Sequence, residues 1–374
     1  MEVASLFNLI GADFYTGVPD SQLKALCDFL MHQYGINKTN HIIAANEGNC
    51  VALAAGYHLA TGKVPVIYMQ NSGEGNIINP VASLLNDQVY ALPAIFIIGW
   101  RGEPNIHDEP QHVFQGKVTL KLLEAMDINY FIITSQTSEA ELAAKLAEFK
   151  PLLSKGKQVA LVVKKGALTC SESVKYQNNS TMQREAIIEH IVKVAAEDPI
   201  ISTTGKASRE LFEIRERNHQ SHKYDFLTVG SMGHSSSIAL GIALNKPHQK
   251  IWCLDGDGAA LMHLGAMAVI GANKPQNLIH CIINNCAHET VGGMPTVAGS
   301  IDFCQIAKGC GYEYVASVDN PRDLDRELKI IKNRHQLSLL DIKCAIGARK
   351  DLGRPTTTPI ENKNNFIQYL NCFS

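Results

Sequence analysis

Runs of five to eight β-branched and aliphatic residues, apolar on both faces, recur along the whole chain and restrict its fold more than any other feature. In the first half they read HIIAA (41–45), VPVIYM (64–69), PAIFIIGW (93–100), NYFIITS (129–135) and QVALVVKK (158–165). The second half has PIIST (199–203), DFLTV (225–229), KIWCLDG (250–256), LIHCIINN (278–285), YEYVAS (312–317) and SLLDIKCA (338–345). A strand that is apolar on both faces needs cover on both faces, which parallel sheets obtain from crossover helices. Longer helical patterns separate the runs, so the chain reads as successive βαβ units. Between the halves, GALTCSESVKYQNNSTMQRE (166–185) is polar, has no apolar period and reads as a connection. The expectation is an α/β protein with two doubly wound parallel-sheet domains, over 1–170 and 184–374, joined by a linker over 171–183. No short repeat is visible, although the halves have the look of distant copies of one architecture.

Charge and composition remove several classes of function. A net charge of −2 without basic runs leaves no footprint for nucleic acid. No apolar run approaches the roughly 18 residues of a membrane span, and the first residues carry no export pattern. The ten cysteines form no C-x-x-C pair, and Cys253, Cys281 and Cys344 lie inside apolar runs. Reduced, buried thiols in a cytoplasmic protein are expected.

Three places combine a strand's carboxyl end with a helix start, where free N–H groups favour anions. In GVPDSQLKALCDFLMHQYG, Asp20-Ser21 reads as the cap of a helix that buries Leu23, Leu26, Cys27 and Leu30 and ends at Gly35. In TTGKASRELFEIRER a strand reaches Gly205 and a helix opens at once. The third is WCLDGDGAAL, where Asp257 stands between Gly256 and Gly258 and a helix is expected from Ala259. A simple turn accounts for Gly-Asp-Gly taken alone. A dinucleotide fingerprint does not, because Leu261 replaces its third glycine and the next strand ends in Asn-Asn without an acidic residue. An aspartate beside a phosphate makes sense when a divalent cation lies between them. Twenty-five residues separate Gly258 from Asn284, enough for one helix and the next strand. Asn284-Asn285 therefore ends the neighbouring strand, within reach of Asp257.

Gly-Asp-Gly followed at this distance by Asn-Asn resembles the diphosphate-binding motif of the thiamine diphosphate enzymes. The resemblance implies that Asp257, the Asn285 side chain and the Ala287 carbonyl hold Mg²⁺, with Asn284 bracing the turn. It places Gly205, Gly256, Gly258, Ala259 and Thr290 at the cofactor, and Met232, in VGSMGHSSSIALGIAL, beneath its bend. In NHIIAANEGNCVALAAGYHLATGK it makes Glu47 the acid that activates the aminopyrimidine, with a pKa raised by burial. Read without the resemblance, Met232 is a core methionine and Glu47 a carboxylate at a helix start.

The likeness is strongest to the phosphonopyruvate decarboxylases, with the sulfopyruvate decarboxylases next. It extends through TGVPDSQLK, MQNSGEGN, GWRGEPNIHDEPQH and NNCAHETVGGMPT, and no third, central domain is expected. It implies decarboxylation of a 2-keto acid with an anionic tail, in phosphonate biosynthesis, by a homo-oligomer with sites shared between chains. A sulfopyruvate decarboxylase, or a related 2-keto acid decarboxylase or carboligase, is the alternative. The departures are Glu74, where an apolar residue is expected, and Cys286, where the turn usually has glycine. Ser21, Lys24 and Arg101 are candidates for the tail, because hydroxyl, ammonium and guanidinium all donate to an oxyanion. A helix cap, a solvated lysine and a loop arginine are their plain readings. His107, Asp108, Glu109 and His112 crowd one loop, which reads as a lid with His112 or His107 relaying a proton, or as a charged surface loop. His234 and His288 carry the same ambiguity. A dehydrogenase and a non-enzymatic scaffold are the rivals from other classes, and intact Glu47, Asp257 and Asn285 argue against the scaffold.

Overall fold

A computed structural model describes residues 1–372. The chain divides into two compact units, one spanning Met1–Lys175 and the other beginning at Tyr176. The first is built on strands β1 (Tyr15–Gly17), β2 (His41–Ile43), β3 (Val66–Gln70), β4 (Ala94–Gly99), β5 (Asn129–Ile133) and β6 (Gln158–Val163). All pair in parallel, in the order β2-β1-β3-β4-β6-β5. β4 and β6 are buried at every residue, as runs apolar on both faces require. β1 has no counterpart among the expected strands. Its three residues are too few to show a period, and pairing on both sides makes it a strand.

The second unit holds β7 (Ile200–Ser202), β8 (Asp225–Leu227), β9 (Ile251–Gly256), β10 (Leu278–Asn284), the short hairpin β11 (Ala287–His288) and β12 (Met294–Pro295), β13 (Tyr314–Val318) and β14 (Ser338–Lys343). Its six-stranded parallel sheet runs β13-β14-β10-β9-β7-β8. Read from the other edge, this is the strand order of the first unit, so the halves do repeat one architecture. Trp252, Ile188, Leu211 and Leu340 are core residues here. The stretch after Tyr176 packs on this unit: Asn178 donates to the carbonyls of Asn285 (3.0 Å) and Cys344 (2.8 Å), and Met182 is buried in the core.

In each sheet the chain reverses its direction of winding beside the first strand, between β1 and β3 and between β7 and β9. Ligands of open α/β sheets bind outside the carboxyl ends at such points. Asp20 follows β1, and Gln70 is the last residue of β3. Gly205 and Asp257 follow β7 and β9.

Two helix starts differ from expectation. The helix after β1 spans Lys24–Gln33 and is preceded by Leu23, with no side-chain cap. Asp20 is instead buried, its Oδ1 accepting from Gln70 Nε2 at 2.6 Å and its Oδ2 from Gln22 N at 3.1 Å. Tertiary demand for Asp20 outweighs its local use as a cap. The helix after β9 begins at Asp257 rather than Ala259 (Asp257–Met262), so the N–H groups of Asp257, Gly258 and Ala259 all lie in its first turn, without intrahelical carbonyl partners.

Candidate active site

In the second unit one cleft collects every residue that the resemblance assigns to the cofactor or the cation in that half. Gly205, Met232, Gly256, Asp257, Gly258, Ala259, Asn285, Ala287 and Thr290 all line it. β9 and β10 are hydrogen-bonded neighbours, with Gly256 opposite Ile283, so the turns that follow them meet. Asp257 is 2% exposed, and its Oδ2 accepts from Thr296 Oγ1 at 2.5 Å. Burial pushes its carboxyl up to about 6, against hydrogen bonds from Thr296 and from the backbone at Asp257, Asn285 and Gly258. Asn285 Oδ1 accepts from Ala287 N at 3.0 Å. Asn284 takes a different part: its Nδ2 donates to Asp341 Oδ1 at 3.0 Å, and its Oδ1 accepts from Cys286 N at 3.1 Å. Cys286 holds a left-handed conformation (φ 57°), a region glycine enters without a Cβ penalty, in keeping with the expectation of glycine at this turn.

Other residues of the site gave no signal in the sequence. Asp255 accepts from Gly256 N (3.1 Å) and Ser235 Oγ (3.2 Å), and its other oxygen lies 3.3 Å from His280 Nε2. This buried brace holds the first glycine of the motif. Thr296 reaches Asp257 from thirty-nine residues away. Thr203, Lys206 and Glu289 also line the cleft, and so does His288, which the sequence left open between a relay and a surface role. Burial depresses His288 to about 4, so its imidazole is neutral near pH 7. His234 is exposed and lies tilted against His263, outside the cleft lining.

In the first unit Glu47 opens the helix Glu47–Thr61, whose N-cap Asn46 accepts from Gly48 N at 2.7 Å. Glu47 is 5% exposed and accepts from Asn76 Nδ2 at 2.7 Å. Burial raises its pKa, and the Asn76 bond opposes the shift. Gly73 backs it so closely that a Cβ there would lie 2.5 Å from Glu47 Cγ.

A second cavity, within the first unit, is lined by Ser21, Arg101, His107, Asp108 and Lys165 among others. Arg101 does not offer a free fork. Its Nε and Nη2 are taken by Asp108 at 2.7 and 2.5 Å, a carboxylate which that pairing holds strongly ionised against its burial. Lys24 does not line this cavity and pairs with Asp28. His112 is also outside the lining; burial lowers its pKa, and its Nδ1 is buried without a partner among the described residues.

Comparison with known proteins decides the family. Residues 3–126 match the thiamine pyrophosphate enzyme N-terminal TPP binding domain, and residues 203–342 the corresponding C-terminal TPP binding domain. A phosphonopyruvate decarboxylase of Streptomyces viridochromogenes is 33% identical over 98% of this chain and 94% of its own length. One of Streptomyces hygroscopicus is 31% identical over 96% of this chain and 91% of its own. The chain belongs to the phosphonopyruvate decarboxylase family of thiamine pyrophosphate enzymes. A sulfopyruvate decarboxylase of Methanosarcina acetivorans is also similar, at 27% identity over 91% of this chain and 90% of its own length.

The donor set of the second unit fits the family's cofactor. A buried carboxylate, an amide oxygen and a carbonyl are oxygen ligands of the kind Mg²⁺ takes beside phosphate. The first helical turn from Asp257 to Ala259, whose N–H groups have no intrahelical carbonyl partner, lines a cleft with room for an anion. Among the described residues no helix is long and apolar enough to cross a membrane.

Proposed function

We propose that this chain decarboxylates 3-phosphonopyruvate to phosphonoacetaldehyde and CO₂, using thiamine diphosphate and Mg²⁺. The observation that carries the reading is the convergence of Asp257 and Asn285 in one cleft with the other cofactor residues of that unit. In this reading Asp257, Asn285 and the Ala287 carbonyl hold the cation, while the turn from Gly256 to Ala259, with Gly205 and Thr290, receives the diphosphate. Met232 supports the bend of the cofactor. Glu47 holds a proton on the aminopyrimidine side; its burial favours the neutral acid, and Asn76 fixes its orientation. Bound thiamine diphosphate supplies the electron sink that accepts the pair left by departing CO₂. The protein's part is to bind, orient and exclude water. For the phosphonate tail we retain Ser21 and Arg101, which share the cavity of the first unit with Lys165. Lys24, half exposed and paired with Asp28, and His112, outside that lining, are weaker candidates.

The homo-oligomer with shared sites is part of the proposal. Exposed Ala52, Leu53, Gly56 and Leu59 form an apolar stripe on the helix Glu47–Thr61, and Leu59 is 72% exposed. Exposed Ala268, Val269 and Ala272 do the same on the helix Gly265–Asn273. A second copy of the chain would cover them. All ten cysteines are free thiols, which suits a reducing compartment such as the cytoplasm.

The test is CO₂ release from phosphonopyruvate, sulfopyruvate and pyruvate, side by side, with and without each cofactor. Phosphonopyruvate should be the best substrate and should need both cofactors. Faster release from sulfopyruvate would move the chain to the reading its sulfopyruvate relatives suggest. Release that ignores thiamine diphosphate would end the proposal.

A further inference from the structure

Glu289 stands in the cleft of the second unit, one residue before Thr290, and has no part in the reading above. It is ringed by donors. Oε2 accepts from Asn285 Nδ2 at 2.8 Å and from Gly347 N at 3.1 Å. Oε1 accepts from Lys206 Nζ at 3.4 Å, and Arg184 Nη1 lies 3.7 Å from Oε2. Because Glu289 acts as an acceptor, the edge of the Asn285 amide that faces it has to be the NH₂. On its other edge the amide oxygen meets Ala287 N–H at 3.0 Å, a donor. Both neighbours select the same orientation of an amide that is only 5% exposed. An amide oxygen has two lone pairs. Ala287 uses one, and the other is left for a cation beside Asp257.

We propose that Glu289 is a positioning residue that fixes the Asn285 amide with its oxygen toward the divalent cation, and so sets metal affinity without touching the metal. This rests on the metal reading of Asp257 and Asn285. Lys206, Arg184 and Gly347 N hold the carboxylate in place, so the orientation exists before a cation arrives. Without Glu289 the amide loses the partner that tells its two ends apart, and a rotated amide presents N–H groups to the cation. Outer-shell partners of this kind change metal affinity by about 10–100-fold when removed.

Mn²⁺ binding is measured by electron paramagnetic resonance of the free ion, on full-length protein with saturating thiamine diphosphate, alongside thermal unfolding of the cofactor-free protein. Glu289→Ala should weaken Mn²⁺ binding by about 10–100-fold while the cofactor-free melting point stays near that of the wild type. Glu289→Gln keeps an oxygen that accepts from Asn285 Nδ2 and should stay within roughly threefold of wild type, a small part of the range for outer-shell loss. Unchanged affinity in folded Glu289→Ala overturns the proposal, and so does an equal loss in both variants, which would make charge rather than orientation the cause. Should Glu289→Ala fail to fold, the Gln variant decides: a loss of tenfold or more there refutes orientation. If wild-type protein binds thiamine diphosphate but no Mn²⁺, it is the metal reading itself that fails.

Discussion

Glu74 is the residue at which this chain departs most sharply from what its surroundings favour. It is 1% exposed, and neither carboxyl oxygen has a hydrogen-bond partner among the described residues. The Thr119 hydroxyl is near, but its proton goes to the Gln115 carbonyl at 2.8 Å and its oxygen accepts from Asn71. Burial accordingly raises Glu74 from an ordinary 4.5 to about 9. Between those values the folded chain keeps a proton that the unfolded chain has released, so this group makes stability fall as pH rises through the window. Glu74→Leu should remove that dependence and stabilise the protein at pH 8 by about 1–3 kcal/mol, the range for a buried unsatisfied polar group. At pH 5 the gain should be smaller. Denaturant unfolding at the two pH values checks it, and a loss of stability at pH 8 would mean that the carboxyl is satisfied after all. The family resemblance flagged Glu74 as out of place. Its lack of a partner depends on Thr119 and Asn71, which no spacing reveals.

At the scale of elements, the strand-to-helix turns carry the chemistry. Gly205 joins β7 to the helix Lys206–Arg217 at φ 94° and ψ −139°, a region essentially closed to L-residues with a Cβ. A Cβ at this position would meet nothing within 4 Å, so any penalty for adding one is backbone strain. Gly205→Ala should therefore destabilise the cofactor-free protein by about 1–3 kcal/mol, read by denaturant unfolding. It should also weaken thiamine diphosphate binding, read by calorimetric titration. Unchanged stability would show that the turn relaxes into an ordinary conformation. The helix itself was legible, because TTG ends an apolar run and an amphipathic stretch begins directly after it. The helix start at Asp257 was legible to within two residues. The Asp20 start was misread, because an aspartate before a helical run has the same local appearance whether it caps the helix or is drawn into the interior by Gln70.

For the whole molecule, the two units repeat one strand order, yet the candidate groups are divided between them: Glu47 in the first, Asp257 and Asn285 in the second. If each site combines the first unit of one chain with the second unit of another, two defective proteins should complement. Mixing Glu47→Gln with Asp257→Ala and reassembling should leave about a quarter of the sites intact in a symmetric two-chain assembly with random pairing. Decarboxylase activity of the mixture against each variant alone reads this out. No recovery, with subunit exchange demonstrated, would put both residues of a site on one chain. The sequence by itself determined the α/β class, eleven of the twelve strands of the two main sheets, and the Gly-Asp-Gly to Asn-Asn pairing. Those are one-dimensional properties: apolar runs with no polar face, and a spacing equal to one helix and one strand. Only the tertiary structure decided that Tyr15–Gly17 is a strand, that Asp108 occupies the Arg101 fork, that Thr296 serves Asp257, and that Glu289 faces the Asn285 amide. Each depends on which groups packing brings within about 3 Å, the reach of a hydrogen bond, and local sequence pattern does not encode that distance.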